Sequence, residues 1–282
     1  MEIGVTVRNM GPQSTAGLLG ECVTSAEKLG FESVWITDHI AIPPDVAEGS
    51  DGRYLDPLIT LSYLAGITTR IRLGTGVLIL PYRSALPTAK QIATLQELSG
   101  ERLLLGVGIG WMDAEFRALG LNRHQRGAQS DSVLALLNRC FGSSAAAKRD
   151  AADNTGIDVV TAHSQPFLFR PNPPRPSIYI GGSAKNALPR ALAHDAGWIP
   201  MGMTPEKLEP AITDYRKTCE REGREARGIT VMQGLPTADA KALEASVAAY
   251  RDLGVERLVC ALRYDEATQF LAQAERLARV LA

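Results

Sequence analysis

Short runs of aliphatic and β-branched residues alternate with longer amphipathic segments along nearly the whole chain. The runs are continuously apolar, as expected of parallel strands that are buried on both faces. They predict strands at residues 3–8, 33–37, 71–79, 103–107, 177–181, 197–201, 229–235 and 257–262. Helical periodicity fills the intervals, at residues 16–29, 57–68, 87–98, 111–118, 126–141, 184–195, 205–222, 238–252 and 265–281.

Eight strands, each followed by at least one helix, predict an α/β fold of the (β/α)8 (TIM) barrel type. An open doubly wound sheet is the alternative for such an alternation, but it usually has a Gly-rich phosphate turn after its first strand. The first strand is followed here by Asn9-Met10-Gly11-Pro12 instead. We therefore expect residues 1–282 to form one barrel domain, which is a common size for this fold.

One segment, residues 142–176, interrupts this alternation of strands and helices between the fourth and fifth predicted strands. It is rich in small and polar residues at its start and in proline at its end. Loops of this length in a compact domain are usually functional or mobile. The segment is therefore expected to be an insertion near the barrel mouth rather than a domain boundary.

Composition narrows the classes of partner. Lys and Arg number 30 against 31 Asp and Glu, a net charge of -1, which gives no basis for expecting nucleic acid or a membrane surface as a partner. The four cysteines lie far apart without the spacing of a zinc site, so we expect a reduced intracellular protein and no metal. The chain shows neither a signal-peptide pattern nor an apolar stretch of about 18 residues, which favours a cytoplasmic location.

Candidate catalytic residues follow from the rule that active sites of (β/α)8 barrels lie at the C-terminal ends of the strands. The second strand ends in Asp38-His39, and a histidine beside a carboxylate can transfer protons near neutral pH. The alternative is a capping Asp38 with a solvated His39, and spacing alone does not separate the two. Asp113 and Glu115 lie in a predicted first helical turn, where acids favour the helix dipole, so we expect both to cap that helix.

Glycines at two strand ends and within a third strand indicate a phosphate-bearing, planar ligand. The turns at Gly108/Gly110 and at residues 181–183 both expose backbone amides at a helix start, where an anion is favoured. Either turn alone is also explained by the geometry of a short connection. Gly74 and Gly76 lie within the third strand, which is typical of a bulge or of a ligand that approaches the backbone closely.

Four segments together resemble the luciferase-like monooxygenase superfamily in order and spacing. They are residues 33–40 (SVWITDHI), 70–83, 98–120 and 179–200. The resemblance spans about residues 1–260 and is closest to the branch of coenzyme F420-dependent oxidoreductases, although FMN-dependent members share most of it.

The resemblance implies a role for particular residues. Asp38 would contact the deazaflavin ring, and His39 would transfer the proton beside it. The Gly76–Val77 bond matches the place where the family carries a non-prolyl cis peptide behind the ring, and Val77 and Ile79 would line the ring face. The positions that hold the ribityl and phosphate groups correspond to Ile109, Gly110, Gly182, Ser183, Ala184, Asn186 and Ala187.

One position departs from the family's pattern. The sugar-phosphate dehydrogenases of the family carry an acid after the glycine of the strand-four turn, as a second proton-transfer group. Trp111 occupies that position here. A bulky indole disfavours glucose 6-phosphate and suggests either a larger, more apolar substrate or a different route for the second proton.

The sequence thus predicts an oxidoreductase that binds F420 and exchanges a hydride with a small organic substrate. His39 would handle the proton, and Asp38 would orient the ring or the imidazole. One alternative is an FMN-dependent monooxygenase that receives reduced flavin from a separate reductase, and another is a non-catalytic flavin-binding protein. The resemblance also implies a homodimer.

Overall fold

A computed structural model of the protein describes residues 1–141 and 159–281. Its strands are β1 (Glu2–Thr6), β2 (Ser33–Ile36), β3 (Arg72–Ile79), β4 (Leu103–Gly108), β5 (Val159–Ala162), β6 (Gln165–Leu168), β7 (Ser177–Gly181), β8 (Gly197–Ile199), β9 (Thr230–Gln233) and β10 (Arg257–Cys260). Its α-helices are α1 (Ala16–Lys28), α2 (Pro57–Ile67), α3 (Ala85–Leu98), α4 (Asp113–Ala118), α5 (Arg126–Phe141), α6 (Ala184–Ala193), α7 (Pro205–Arg221), α8 (Ala240–Asp252) and α9 (Ala267–Leu281).

Eight of the strands form one parallel sheet in the order β8-β7-β4-β3-β2-β1-β10-β9. Isolated parallel bridges from Trp198 to Ile229 and from Met201 to Met232 bring the two edge strands together and nearly close the sheet. Every predicted strand overlaps one of these eight. The predicted (β/α)8 barrel is therefore confirmed.

The barrel interior is filled by apolar side chains and is closed at the N-terminal ends of the strands by an ion pair. The interior cluster consists of Trp35, Leu104, Tyr179, Ile199, Met232 and Val259. Below it, the buried guanidinium of Arg257 binds both carboxylate oxygens of Glu32 at 2.7 Å and the Tyr179 hydroxyl at 2.9 Å. The opposite end, where the strands finish, is the end left for a functional site.

The expected insertion over residues 142–176 contains an antiparallel hairpin, β5–β6, which the sequence did not predict. Residues 142–158 of this segment lie outside the described residues. The turn of the hairpin is formed by His163 and Ser164, both with positive φ. Because His163 lines a cavity together with Tyr82 and Arg83, which follow β3, the hairpin turn lies beside the mouth of the barrel.

The described part of the chain contains neither a candidate membrane span nor a candidate metal cluster. No helix there is both long and apolar enough to cross a membrane. No three His, Cys, Asp or Glu side chains there are grouped in the way that a metal site requires. The four cysteines are buried, and none forms a disulfide.

Candidate active site

His39 lies at the C-terminal end of β2 and is held by a buried carboxylate. Its Nδ1 atom is 2.7 Å from Oε2 of Glu115, whose side chain is 0% exposed. The Tyr82 hydroxyl donates to the same carboxylate oxygen at 2.9 Å. Within residues 1–141 and 159–281, the Nε2 atom of His39 has no hydrogen-bond partner. Nε2 is thus the ring nitrogen that is free to exchange a proton.

The charge of Glu115 is stabilised by donors from two parts of the chain. The amides of Ile40 and Ala41 donate to its Oε1 at 2.7 and 3.1 Å. Burial raises the pKa of Glu115, but the hydrogen bonds from His39 and from these two amides outweigh burial and bring the pKa below its ordinary value. Glu115 is therefore a carboxylate at neutral pH and only accepts hydrogen bonds, so Nδ1 of His39 carries a hydrogen.

The expected capping role of Glu115 is wrong. Although Glu115 does lie in the first turn of α4, its carboxylate reaches across the barrel mouth to donors that follow β2 and β3. These donors satisfy both oxygens, which leaves none for the amides of its own helix. Asp113, the other acid of that turn, pairs with Arg117 on the helix surface.

Asp38 is also buried, but it binds Arg83 and not the imidazole. The Arg83 guanidinium contacts both carboxylate oxygens, at 2.6 and 2.9 Å, and the Ile79 amide donates at 2.8 Å. Burial raises the pKa of Asp38, and the guanidinium opposes that rise. The bidentate geometry is that of an arginine–carboxylate ion pair. Asp38 therefore fastens the end of β2 to the end of β3, and the imidazole contact expected of it belongs to Glu115.

The predicted ring-binding strand carries the expected irregularity. The Gly76–Val77 peptide bond is cis, and the pairing of β3 with β4 shifts register in this stretch. Val77 is half-buried above the interior cluster. A Cβ atom on Gly108 would lie 2.6 Å from Cγ2 of Val77, and one on Gly181 would lie 3.0 Å from its Cγ1. Glycines on the next two strands of the sheet, β4 and β7, thus make room for Val77, which forms an apolar platform at the barrel mouth.

The other predicted ring contact, Ile79, is 4% exposed and packs with Tyr82 and Phe116. Ile109 and Gly110 follow β4 and are half-buried. The φ of Gly110 is +76, and a Cβ atom there would lie 3.0 Å from Ile79. Ile79 therefore supports the Gly110 turn from below rather than lining an open surface.

The turn after β7 leaves the start of α6 open to an anion. Gly182 has a φ of +123, and Ser183 precedes the helix without a side-chain capping bond. The first turn contains no acid but does contain the exposed Lys185. The backbone amides of Asn186 and Ala187 donate to the Ser183 carbonyl at 3.0 and 2.8 Å, and the side chain of Ala187 is buried under the turn. The amides ahead of them have no partner within the helix. Together with Ala184, these residues leave backbone amides without an intrahelical partner at the helix start, a geometry that favours an anion.

Aromatic side chains surround the imidazole. The ring of Tyr54 stands edge-on to His39 with a centroid distance of 5.0 Å, and the ring of Trp111 does so at 6.4 Å. Trp111 is 66% exposed, and neighbouring Ile40 is also exposed. The wall of the mouth beside His39 is therefore apolar and open.

A barrel with a polar network at the C-terminal ends of its strands has the architecture of the (β/α)8 enzymes, and comparison with known proteins identifies the family. Residues 1–279 match the family described as luciferase-like monooxygenase, and the chain belongs to that family.

The proteins to which the chain is similar include structural neighbours with different cofactors. The chain is 29% identical over 207 residues to the 5,10-methylenetetrahydromethanopterin reductase of Methanolobus tindarius, covering 73% of this chain and 56% of the reductase. An F420-dependent secondary alcohol dehydrogenase with a bound F420–acetone adduct has a similar fold, with a TM-score of 0.75, 13% identity and 97% of each chain covered. The FMN-bound oxygenating component of 3,6-diketocamphane monooxygenase from Pseudomonas putida gives a TM-score of 0.64 at 16% identity, over 88% of this chain and 71% of that one.

Proposed function

We propose that this protein is an F420-dependent oxidoreductase that exchanges a hydride between the deazaflavin ring and a small organic substrate. The observation that carries the proposal is the hydrogen bonding of the two ring nitrogens of His39. Its Nδ1 is held by a buried carboxylate, and its Nε2 has no partner in the described residues. An imidazole held in this way, at the C-terminal end of a barrel strand, is suited to general acid–base chemistry.

The chain's own residues fit a flat ring with an attached phosphate. The half-buried Val77 platform offers an apolar surface for the ring, and the uncapped start of α6 at Ser183 offers amides and a hydroxyl to a phosphate. When bound, the deazaflavin would supply the hydride chemistry, while the protein orients the ring and moves the proton.

The roles of the two predicted catalytic residues then differ. His39 would give or take the proton of the reaction at Nε2. Asp38 would act indirectly, because its ion pair with Arg83 fixes the strand ends on which His39 and the platform depend. The exposed indole of Trp111 beside His39 favours an apolar substrate over a sugar phosphate.

An FMN-dependent monooxygenase fed by a separate reductase is the second candidate. The platform and the α6 turn would accept FMN by the same contacts, and a structural neighbour contains FMN. Turnover that requires oxygen would support this candidate. A non-catalytic flavin-binding protein would bind cofactor without turning over any substrate, and it gives no reason for the His39–Glu115 contact.

We also propose that the protein is a homodimer. Ile59, Tyr63 and Ile67 are exposed at a spacing of four residues on one face of α2. A contiguous apolar stripe on a helix surface is typical of a protein interface. Sedimentation equilibrium of the wild-type protein tests this proposal, and a monomer would contradict it.

Substitution of His39 tests the proposed reaction. His39→Ala should lower turnover of reduced F420 by about 10²–10⁴-fold, the usual contribution of a positioned acid or base, and should leave F420 affinity unchanged. The assay follows oxidation of the reduced coenzyme with a panel of apolar carbonyl compounds. His124→Ala, at an exposed histidine, is the matched control. Equal turnover by wild type and His39→Ala would rule out the assigned role.

A further inference from the structure

Glu115 has an unusually complete set of donors for a side chain outside the predicted catalytic pair. Its side chain is 0% exposed, and its two oxygens receive the Nδ1–H of His39, the Tyr82 hydroxyl and two backbone amides. A buried carboxylate without a cationic partner is costly unless its hydrogen bonds are complete. The imidazole is the one group in contact with Glu115, among those the structure describes, that can become positively charged beside it.

We propose that Glu115 is the positioning residue for His39: it fixes the Nδ1–H tautomer and stabilises the imidazolium. When Nε2 takes a proton from a substrate hydroxyl, the new N–H bond forms at Nε2 and the substrate oxygen keeps the electron pair. The positive charge then gained by the ring lies against the Glu115 carboxylate, which does not itself take the proton. The reverse step returns the proton from Nε2 to the substrate oxygen. The role of Glu115 in turnover rests on the proposed function. Its effect on the tautomer does not, because the tautomer is a property of the protein alone.

Other ionisable groups around the pair do not replace this carboxylate. Burial raises the pKa of Tyr54 and of Tyr82, so both phenols are neutral at physiological pH. Several charged groups near the pair already have partners of opposite sign: Asp38 with Arg83, Asp56 with Arg83, and Arg8 with Asp265.

Glu115→Gln tests the tautomer assignment directly, because two of the donors to Glu115 are backbone amides whose direction is fixed. The new side-chain amide has one acceptor oxygen and one NH2 group. The Ile40 and Ala41 amides can only donate, so they require the oxygen on their side. The NH2 group then faces Nδ1 of His39, which must accept a hydrogen bond. The substitution therefore moves the imidazole hydrogen from Nδ1 to Nε2 with little change of shape, and an Nε2–H imidazole cannot act as the base.

The tautomer can be read without cofactor or substrate. Nitrogen-15 NMR of imidazole resonances distinguishes the two tautomers, and the chain has only four histidines to assign. Neutral His39 should be Nδ1–H in the wild type and Nε2–H in Glu115→Gln. The matched control is Glu27→Gln, because Glu27 also accepts several backbone amides but contacts no histidine among the described residues. Its donors are the amides of Thr69, Arg70 and Ile71.

Turnover gives the second readout. Glu115→Gln should lose about 10²–10⁴-fold in kcat with unchanged F420 affinity, and the pH dependence of its residual activity should differ from that of the wild type. Glu27→Gln should retain both the His39 tautomer and turnover. A wild-type His39 in the Nε2–H form would overturn the proposal even if no variant folds, and so would Glu115→Gln with an Nδ1–H imidazole and normal turnover. The predicted tautomers together with no F420 turnover would instead reject the proposed function and retain the assignment of Glu115.

Discussion

At the scale of single residues, the Val77 platform depends on the absence of side chains at two neighbouring glycines. Val77 occupies space that a side chain at Gly108 or at Gly181 would fill. Neither glycine has a positive φ, so their absent Cβ atoms, and not backbone freedom, explain them. The apolar surface at the barrel mouth is therefore set by three residues on three adjacent strands.

Gly108→Ala should push Val77 out of its position and spoil the platform. Overpacking of this kind typically costs about 1–3 kcal/mol of stability, and we expect F420 affinity to fall by about tenfold or more. Fluorescence titration and denaturant unfolding measure the two effects. Gly17→Ala on the exposed side of α1 is the control, because its Cβ atom would meet only Thr15 at 3.9 Å and should be neutral or slightly stabilising. Unchanged affinity in Gly108→Ala would show that the ring does not rest on Val77.

The sequence predicted that His39 and Asp38 lie at the barrel mouth, but it did not predict the side chains that bind them. The barrel rule was enough to place both at the end of β2. The Nδ1 partner, Glu115, lies 76 positions along the chain, and its place in a first helical turn had an adequate local explanation as a cap. A second signal was present, since Glu115 also follows a barrel strand, but only the tertiary structure shows which acid reaches the imidazole.

At the scale of elements, the start of α6 combines features that are favourable when an anion is bound there and unfavourable in the helix alone. Ser183 makes no side-chain cap bond, and the first turn carries Lys185 instead of an acid. A cation in this position opposes the helix dipole. The arrangement is favourable once a phosphate lies over the exposed amides.

Lys185→Glu should therefore have opposite effects on stability and on binding. The acid should stabilise the cofactor-free protein by about 0.3–1 kcal/mol, while F420 affinity should fall by about tenfold or more through repulsion and the lost ammonium. Lys207→Glu, in the first turn of α7, offers the same dipole gain and should leave affinity unchanged. If both variants bind F420 as the wild type does, the phosphate does not lie at α6.

Elements with strong apolar patterns were predicted, and the one without such a pattern was missed. All eight barrel strands are buried runs, so their pattern is visible in the sequence. The β5–β6 hairpin is mostly exposed and includes Pro166, and its two-residue turn is His163-Ser164. Turns with two left-handed residues are usually recognised by Asn-Gly or Asp-Gly, and this one has neither.

At the scale of the whole molecule, the fold and family were predictable and the cofactor was not. Order and spacing of four segments identified the barrel family, which a match over residues 1–279 shows. F420 and FMN both carry a flat ring and a phosphate, so under the proposed function Val77 and the α6 turn would offer each of them the same contacts. Neighbours of both kinds share the fold. Discrimination between the cofactors therefore needs a measurement on the protein itself.

The most direct measurement is a side-by-side fluorescence titration of the purified protein with F420 and with FMN. We predict that F420 binds more tightly than FMN, and that Lys185→Glu weakens this binding while Lys207→Glu does not. Tighter binding of FMN would contradict this prediction and favour an FMN-dependent monooxygenase or a flavin-binding protein, which oxygen consumption would then distinguish. Binding of neither cofactor would leave the barrel and its His39–Glu115 pair in place and contradict the proposed function.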